Sequence, residues 1–351
     1  MSPQDSAIAS ETIAVSGGTE PRTTARPAPR RSGPARSGPL PPAGHRGGLV
    51  GTVLAALGVA AFSLTFPATA WGLEGLGPWS VVTCRLVLAG VVAGATLAVL
   101  RVRPPARRHW PGLLVVAAGV VVGFPLLTTL ALQTSTTSHA AVVVGLLPLT
   151  TAAYAAARTG ARHTRRFWGA ALAGAAVIVA FAVQQSGGAL TGGDLYLFGA
   201  LLICAAGYAE GGKLAGHMPG WQVIGWALVA CLPLSVPGAA LALTAEPVHL
   251  GAHAVAGLLW LALGSQFLGL VVWYRGMAAI GVARASQLQL AQPLLTLVWS
   301  VLLLGEHLTW AAPAAAGAVL VCIGVTQRAS AAASRAPAAA DPAGANQEER
   351  P

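Results

Sequence analysis

The placement of positive charge constrains this chain most. Ten apolar stretches run between residues 49 and 327, and every Lys or Arg except Arg85 falls in a tail, in alternate gaps between them or at a stretch end bordering such a gap. The stretches span 49–72, 79–100, 111–132, 138–157, 167–185, 195–216, 221–243, 254–275, 284–304 and 308–327. Each is near the ~20 residues that cross ~30 Å of hydrocarbon as a helix, and helices are forced because lipid offers backbone groups no partners. With the N-terminus placed in the cytoplasm, Arg101, Arg103, Arg107, Arg108, Arg158, Arg162, Arg165, Arg166, Lys213, Arg275, Arg284 and the arginines of both tails all fall inside. The outer gaps hold no Lys or Arg, only the acids Glu74, Asp194, Glu246 and Glu306. Removing one helix would scatter the positives over both faces, so charge supports the even count independently of hydropathy.

Composition agrees. The chain is 55% hydrophobic and 9% charged, against roughly 25% charged in soluble domains. The net charge of +10 does not indicate nucleic acid, because that reading needs basic residues gathered on one soluble face. Cys84, Cys204, Cys231 and Cys322 all lie in apolar runs without a CxxC pair, which points to packing rather than disulfides or metal. Residues 1–46 and 329–351, rich in Pro, Ala, Gly, Ser and Arg, read as disordered cytoplasmic tails. The first long apolar stretch begins too late and runs too long for a cleavable signal peptide.

The chain also repeats itself. A shift of 145 residues aligns Gly47-Gly48 with Gly192-Gly193, Gly112-Leu113-Leu114 with Gly257-Leu258-Leu259, and Gly119 with Gly264. It further aligns Pro148-Leu149 with Pro293-Leu294 and Gly160 with Gly305. Glycine identities arise by chance in such a composition; two prolines, each deep in the fourth stretch of its half, are harder to dismiss. Residues 47–190 and 191–328 therefore read as two five-helix repeats. Because five is odd, the second must enter the membrane from the opposite face, the plan of many alternating-access carriers with a site near the midplane.

Several segments carry a family resemblance over residues 48–327. They are "FSLTFPATA", "GPWSVVTCRLVLAG" with Arg85, and "SHAAVVVGLLPLTTAAYAAARTGAR" with Pro148 and Gly160. The second half adds "ARASQLQLAQPLLTLVWSVLLLGEHLTW", with Pro293 and Gly305-Glu306, and "GAVLVCIGV". On these the chain resembles the EamA family of the drug/metabolite transporter superfamily. The resemblance implies a bacterial inner-membrane carrier, often an exporter of amino acids or other metabolites, with both termini cytoplasmic. Where the family places a second glutamate, this chain has Ala161, so that acid's role carries over to Glu306 alone.

Ionisable groups within a span are expensive. Arg85 reads either as an anchor for an anionic substrate group or as a structural arginine bonded to a neighbouring helix. Glu210 lies three residues before Lys213 and can pair with it; the alternative is a proton or cation site. In the ninth stretch Ser286, Gln289, Gln292 or Pro293, Thr296 and Ser300 share one helical face, which must meet protein or water. This stripe is read as a wall of the substrate pathway, against polar glue between helices. Gln266 and Trp273 share a face of the eighth stretch, and Tyr208 and Tyr274 are further pathway candidates. His139 reads as an outer residue without special duty, and Glu306 as a helix cap or outer-face marker.

There is no HExxH, P-loop lysine or GxSxG motif, which argues against an intramembrane protease or an ATP-driven pump. The expectation is an all-α membrane protein of ten helices in two inverted repeats, without catalytic residues, metal or cofactor. Its partners are a small-molecule substrate and the bilayer, not nucleic acid, and a homodimer is compatible with it. The function read is secondary transport by alternating access, with efflux favoured over uptake. The rivals are a membrane enzyme acting on lipid-linked substrates and a non-transporting sensor.

Overall fold

A computed structural model describes residues 45–159, 164–280 and 288–335. The tail segments 1–44 and 336–351, together with Gly160, Ser286 and Arg284, lie outside the described residues. All regular structure among the described residues is helical, with a single isolated bridge between Leu76 and Val248. Eight helices are long and apolar enough to cross a membrane: α1 Leu49–Leu73, α2 Pro78–Val99, α3 Arg107–Ala131, α4 Thr137–Arg158, α5 Arg165–Gln185, α6 Gly192–Ala215, α7 Gly220–Ala245 and α8 Ala252–Met277. Two shorter apolar helices follow, α9 Ala291–Leu304 and α10 Ala311–Thr326. The expected ninth stretch began at 284, and residues 281–287 are not described; the apolar part of α10 ends where Gln327 and Arg328 begin.

Local chemistry explains the breaks. α4 loses helical geometry at Gly145–Leu146, where Pro148 has no N–H for the Val144 carbonyl. α9 ends in a left-handed cap: Gly305 takes φ 65°, its N–H donates to the Val301 carbonyl at 3.1 Å, and the Glu306 N–H donates to the Ser300 carbonyl at 3.2 Å. Only glycine adopts that backbone at little cost. α3 and α8 each carry a π-helical segment, Ala117–Gly123 and Trp260–Gly269. These fall at matching places of the two repeats, and such bulges recur at functional positions.

Packing follows the repeat. The most extensive helix pairings are α2 with α7, α1 with α8, α5 with α10, and α6 with α3 and α4. Contacts of α9 with α4 and α1, of α2 with α8 and of α3 with α7 come next between the repeats, with α2 against α3 a comparable pair inside the first. Exchanging each helix with the one five places on maps these pairings between repeats onto themselves. α3 and α6 meet where Gly119 faces Gly207; a Cβ on Gly119 would stand 3.1 Å from the Gly207 Cα, so small residues set this approach. Buried apolar clusters form around α4, α5, α9 and α10 and around α2, α3, α7 and α8. Large apolar side chains such as Leu172, Leu202, Leu241 and Val321 remain exposed, as lipid-facing positions require.

Candidate substrate site

Both repeat-matched prolines reach one place. A cavity of about 330 Å³ opens between α4 and α9, with further wall from α1, α6 and α10. Pro148 and Pro293 both line it, and a Cβ on Gly145 would come within 3.3 Å of the Pro293 Cγ. The volume is within the range of small-molecule pockets. A second cavity, about 480 Å³ between α2, α3 and α7, is walled almost entirely by apolar side chains such as Leu86, Leu126, Leu234 and Leu241.

Of the residues singled out in the sequence, Tyr208, Gln289, Gln292, Pro293 and Thr296 line the first cavity. The α9 stripe faces inward as its spacing requires: Thr296 and Ser300 are buried, while Leu294 and Val298 on the other side are exposed. The Thr296 hydroxyl donates to the Gln292 carbonyl at 3.0 Å and contacts the Ser63 carbonyl at 2.9 Å. Trp299 Nε1 donates to Ser63 Oγ at 2.9 Å, beside the break in α1 at Leu64. Gln289 Nε2 donates to Gln292 Oε1 at 3.3 Å. The Thr151 hydroxyl, also on the wall, is buried without a hydrogen-bond partner.

The remaining candidates lie elsewhere. Arg85, 3% exposed, lines neither cavity. Its Nη2 donates to Gln266 Oε1 at 2.6 Å, while its Nε has no partner. Gln266 belongs to the π segment of α8, next to Ser265, whose hydroxyl meets Thr65 Oγ1 at 2.7 Å. The two residues tie α8 to α2 and α1. Trp273 is buried against Gly58 and meets Phe62 edge-on at 6.2 Å. Tyr274 packs on Gly220. Glu210 pairs with Lys213 Nζ at 2.7 Å and lies 3.6 Å from Arg158 Nη2, with both cations more than half exposed. Exposure and screening leave such a cluster weak.

Three of the four acids in the gaps without Lys or Arg hold helix starts. Glu306 accepts from the backbone N–H of Thr137 at 2.7 Å and of Ser138 at 2.9 Å, and from the Ser138 hydroxyl. Gly305 therefore ends α9 and turns the chain so that the next carboxylate caps α4 of the other repeat. Glu246 caps α2 in the same way, through Ser80 at 2.7 Å and Trp79 at 3.2 Å. Both place a negative charge at the positive end of a helix. Asp194, fully buried, closes a capping box with Thr191. It also accepts from Ser186 at 2.9 Å and sits 2.6 Å from His139 Nε2. Glu74 meets His253 at 3.0 Å at an exposed site. His139 is thus a buried partner of an acid, stacked on Phe181, and not a loop residue without duty. The Thr191-x-x-Asp194 spacing was the available signal for this group; Phe66, Thr151 and Glu246 had no comparable one.

Comparison with known proteins gives three results. The model of the EamA-like transporter family matches residues 49–182 and again 191–326. A Bacillus subtilis (strain 168) protein named "Uncharacterized transporter YdeK" is 42% identical over 272 residues, covering 78% of this chain and 95% of that protein. A solved structure titled "Crystal structure of protein" shares the fold with a TM-score of 0.56 at 20% identity, over 78% of this chain and 95% of that one.

Proposed function

The chain belongs to the EamA-like transporter family and is a multi-pass membrane transporter, and on that premise we propose that it is a secondary carrier working by alternating access. Its cargo is a small metabolite or drug-like compound, and efflux across the cytoplasmic membrane is the favoured direction. One observation carries this reading: α4 of the first repeat, broken before Pro148, and α9 of the second, which follows a turn at Leu290 and holds Pro293 in its first turn, wall a single cavity. Broken helices at membrane depth are tolerated only where they line a cavity or are buried in protein, and carriers place their sites between repeats.

The proposal includes ten spans with the repeats at 47–190 and 191–328 in opposite orientation. The exchange-symmetric packing supports it, as does the confinement of Lys and Arg, Arg85 excepted, to the tails and to alternate gaps and their borders. Both termini then face the cytoplasm, and the Glu306 and Glu246 caps lie on the outer face. Within the pathway, Tyr208, Gln289, Gln292, Pro293 and Thr296 contact cargo, whereas Arg85 and Gln266 position α2 against α8.

Two measurements test this. Metabolite and toxin profiling of deletion against overexpression strains should name a compound whose flux then appears in vesicles holding only this protein. Reporter tags at the two termini should lie on one face, with Gly47 and Gly192 on opposite faces. Tags on opposite sides, or vesicles inert to every compound from the profile, would sink the carrier reading.

A further inference from the structure

We propose that the cavity between α4 and α9 takes a small uncharged molecule, with an apolar body and one amide, carbonyl or hydroxyl end, and discriminates against charged species, including zwitterionic amino acids. This rests on the cavity being the carrier's pathway.

The wall has two chemical poles. Phe66, Val144, Leu147, Leu290, Leu320 and Ile323 supply an apolar surface, and Thr151, Tyr208, Gln289 and Gln292 supply neutral polar groups. No Asp, Glu, Lys, Arg or His is among its described lining residues. A charge moved from water to such a wall loses hydration without gaining a counter-ion, whereas a neutral donor or acceptor loses far less.

The polar pole is open. Gln289 and Gln292 share one 3.3 Å bond, which uses one N–H of the first amide and the oxygen of the second. The Gln289 oxygen and the Gln292 amino group have no other hydrogen bond to a described side chain. The Thr151 hydroxyl is buried and unpartnered beside them. Together they present donors and an acceptor, the complement of an amide, carbonyl or hydroxyl group.

Among the described residues, the two charged groups set within the spans are committed elsewhere. Arg85 is committed to Gln266 at 2.6 Å and lines no cavity. Glu210, roughly 200° round α6 from Tyr208, is held by Lys213 and Arg158.

The test uses purified protein in nanodiscs, where both faces are reachable, with the four native cysteines replaced. Single cysteines are placed at Gln292 (Gln292→Cys), at Gln289 (Gln289→Cys) as a second site should the first variant misfold, and at the exposed Gln184 (Gln184→Cys) as reference. Each reacts with three methanethiosulfonates of similar size: neutral hydroxyethyl, anionic sulfonatoethyl and cationic trimethylammonioethyl. The neutral-to-charged rate ratio in the cavity should exceed that at Gln184→Cys by about tenfold or more, for both charged reagents. A ratio equal to the reference overturns the proposal and leaves the pathway reading intact. Inertness to all three reagents at both cavity sites overturns both. Adding Gln289→Glu to Gln292→Cys should speed the cationic reagent about tenfold; no change would show a wall indifferent to charge and would also overturn the proposal.

Discussion

The α2–α8 contact and the α4–α9 contact both join one repeat to the other, and both carry polar side chains inside the apolar bundle. At α2–α8 the polar groups point at each other: Arg85 reaches Gln266, and close by Ser265 reaches Thr65 of α1. At α4–α9 they line space, with the glutamine amides and Thr151 only partly bonded. An apolar interior tolerates a polar group when its bonds are closed within the protein or when it faces a cavity. On the proposed reading the first contact works as a joint and the second as a binding wall. Polarity within a span therefore does not by itself mark a pathway; the state of the hydrogen bonds does.

Breaking the joint should have the largest effect. Gln266→Leu leaves the Arg85 guanidinium buried without its acceptor and should lower unfolding free energy in mixed micelles by about 2–3 kcal/mol. Adding Arg85→Leu should restore at least half of that loss, because the stranded charge is gone. A double variant worse than the single would erase the distinction between joint and wall. Next in size, Glu306→Gln should cost about 1–2 kcal/mol and speed hydrogen exchange in the first turn of α4. Glu246→Gln should do the same at α2 with a smaller effect, because its bond to Trp79 is the longer one at 3.2 Å. On the wall, Gln292→Leu should stay within about 0.5 kcal/mol of the parent in stability while changing flux of the transported compound in vesicles. Smallest of all, Lys213→Ala should cost no more than about 0.5 kcal/mol, because its partner Glu210 sits in an exposed cluster.

What was legible in the sequence was local or repeated. The α9 stripe could be read because its spacing lies within a few turns of one helix, and Pro148 and Pro293 because the repeat sets them side by side. The missed features depend on distance along the chain. Glu306 reads as a cap in the sequence and Glu246 does not, but both cap helices whose first turns lie more than 160 residues away, so nothing near either acid announces its partner. The π segment Ala117–Gly123 holds only small and branched apolar residues, and its two glycines do not stand out in a chain with 43 of them. Arg85 could be singled out by its charge, but whether it met a ligand or Gln266 depended on a residue 181 positions on.

The five most extensive helix pairings run between repeats, and this bears on how the protein is made. As the ribosome delivers the first five helices, their partners have not yet been synthesised. Those helices wait in the bilayer, shielded by lipid, until the second repeat arrives to pack among them. Assembly is thus a late, whole-chain event rather than the docking of two finished pieces, and a chain truncated after α5 would be left to membrane quality control.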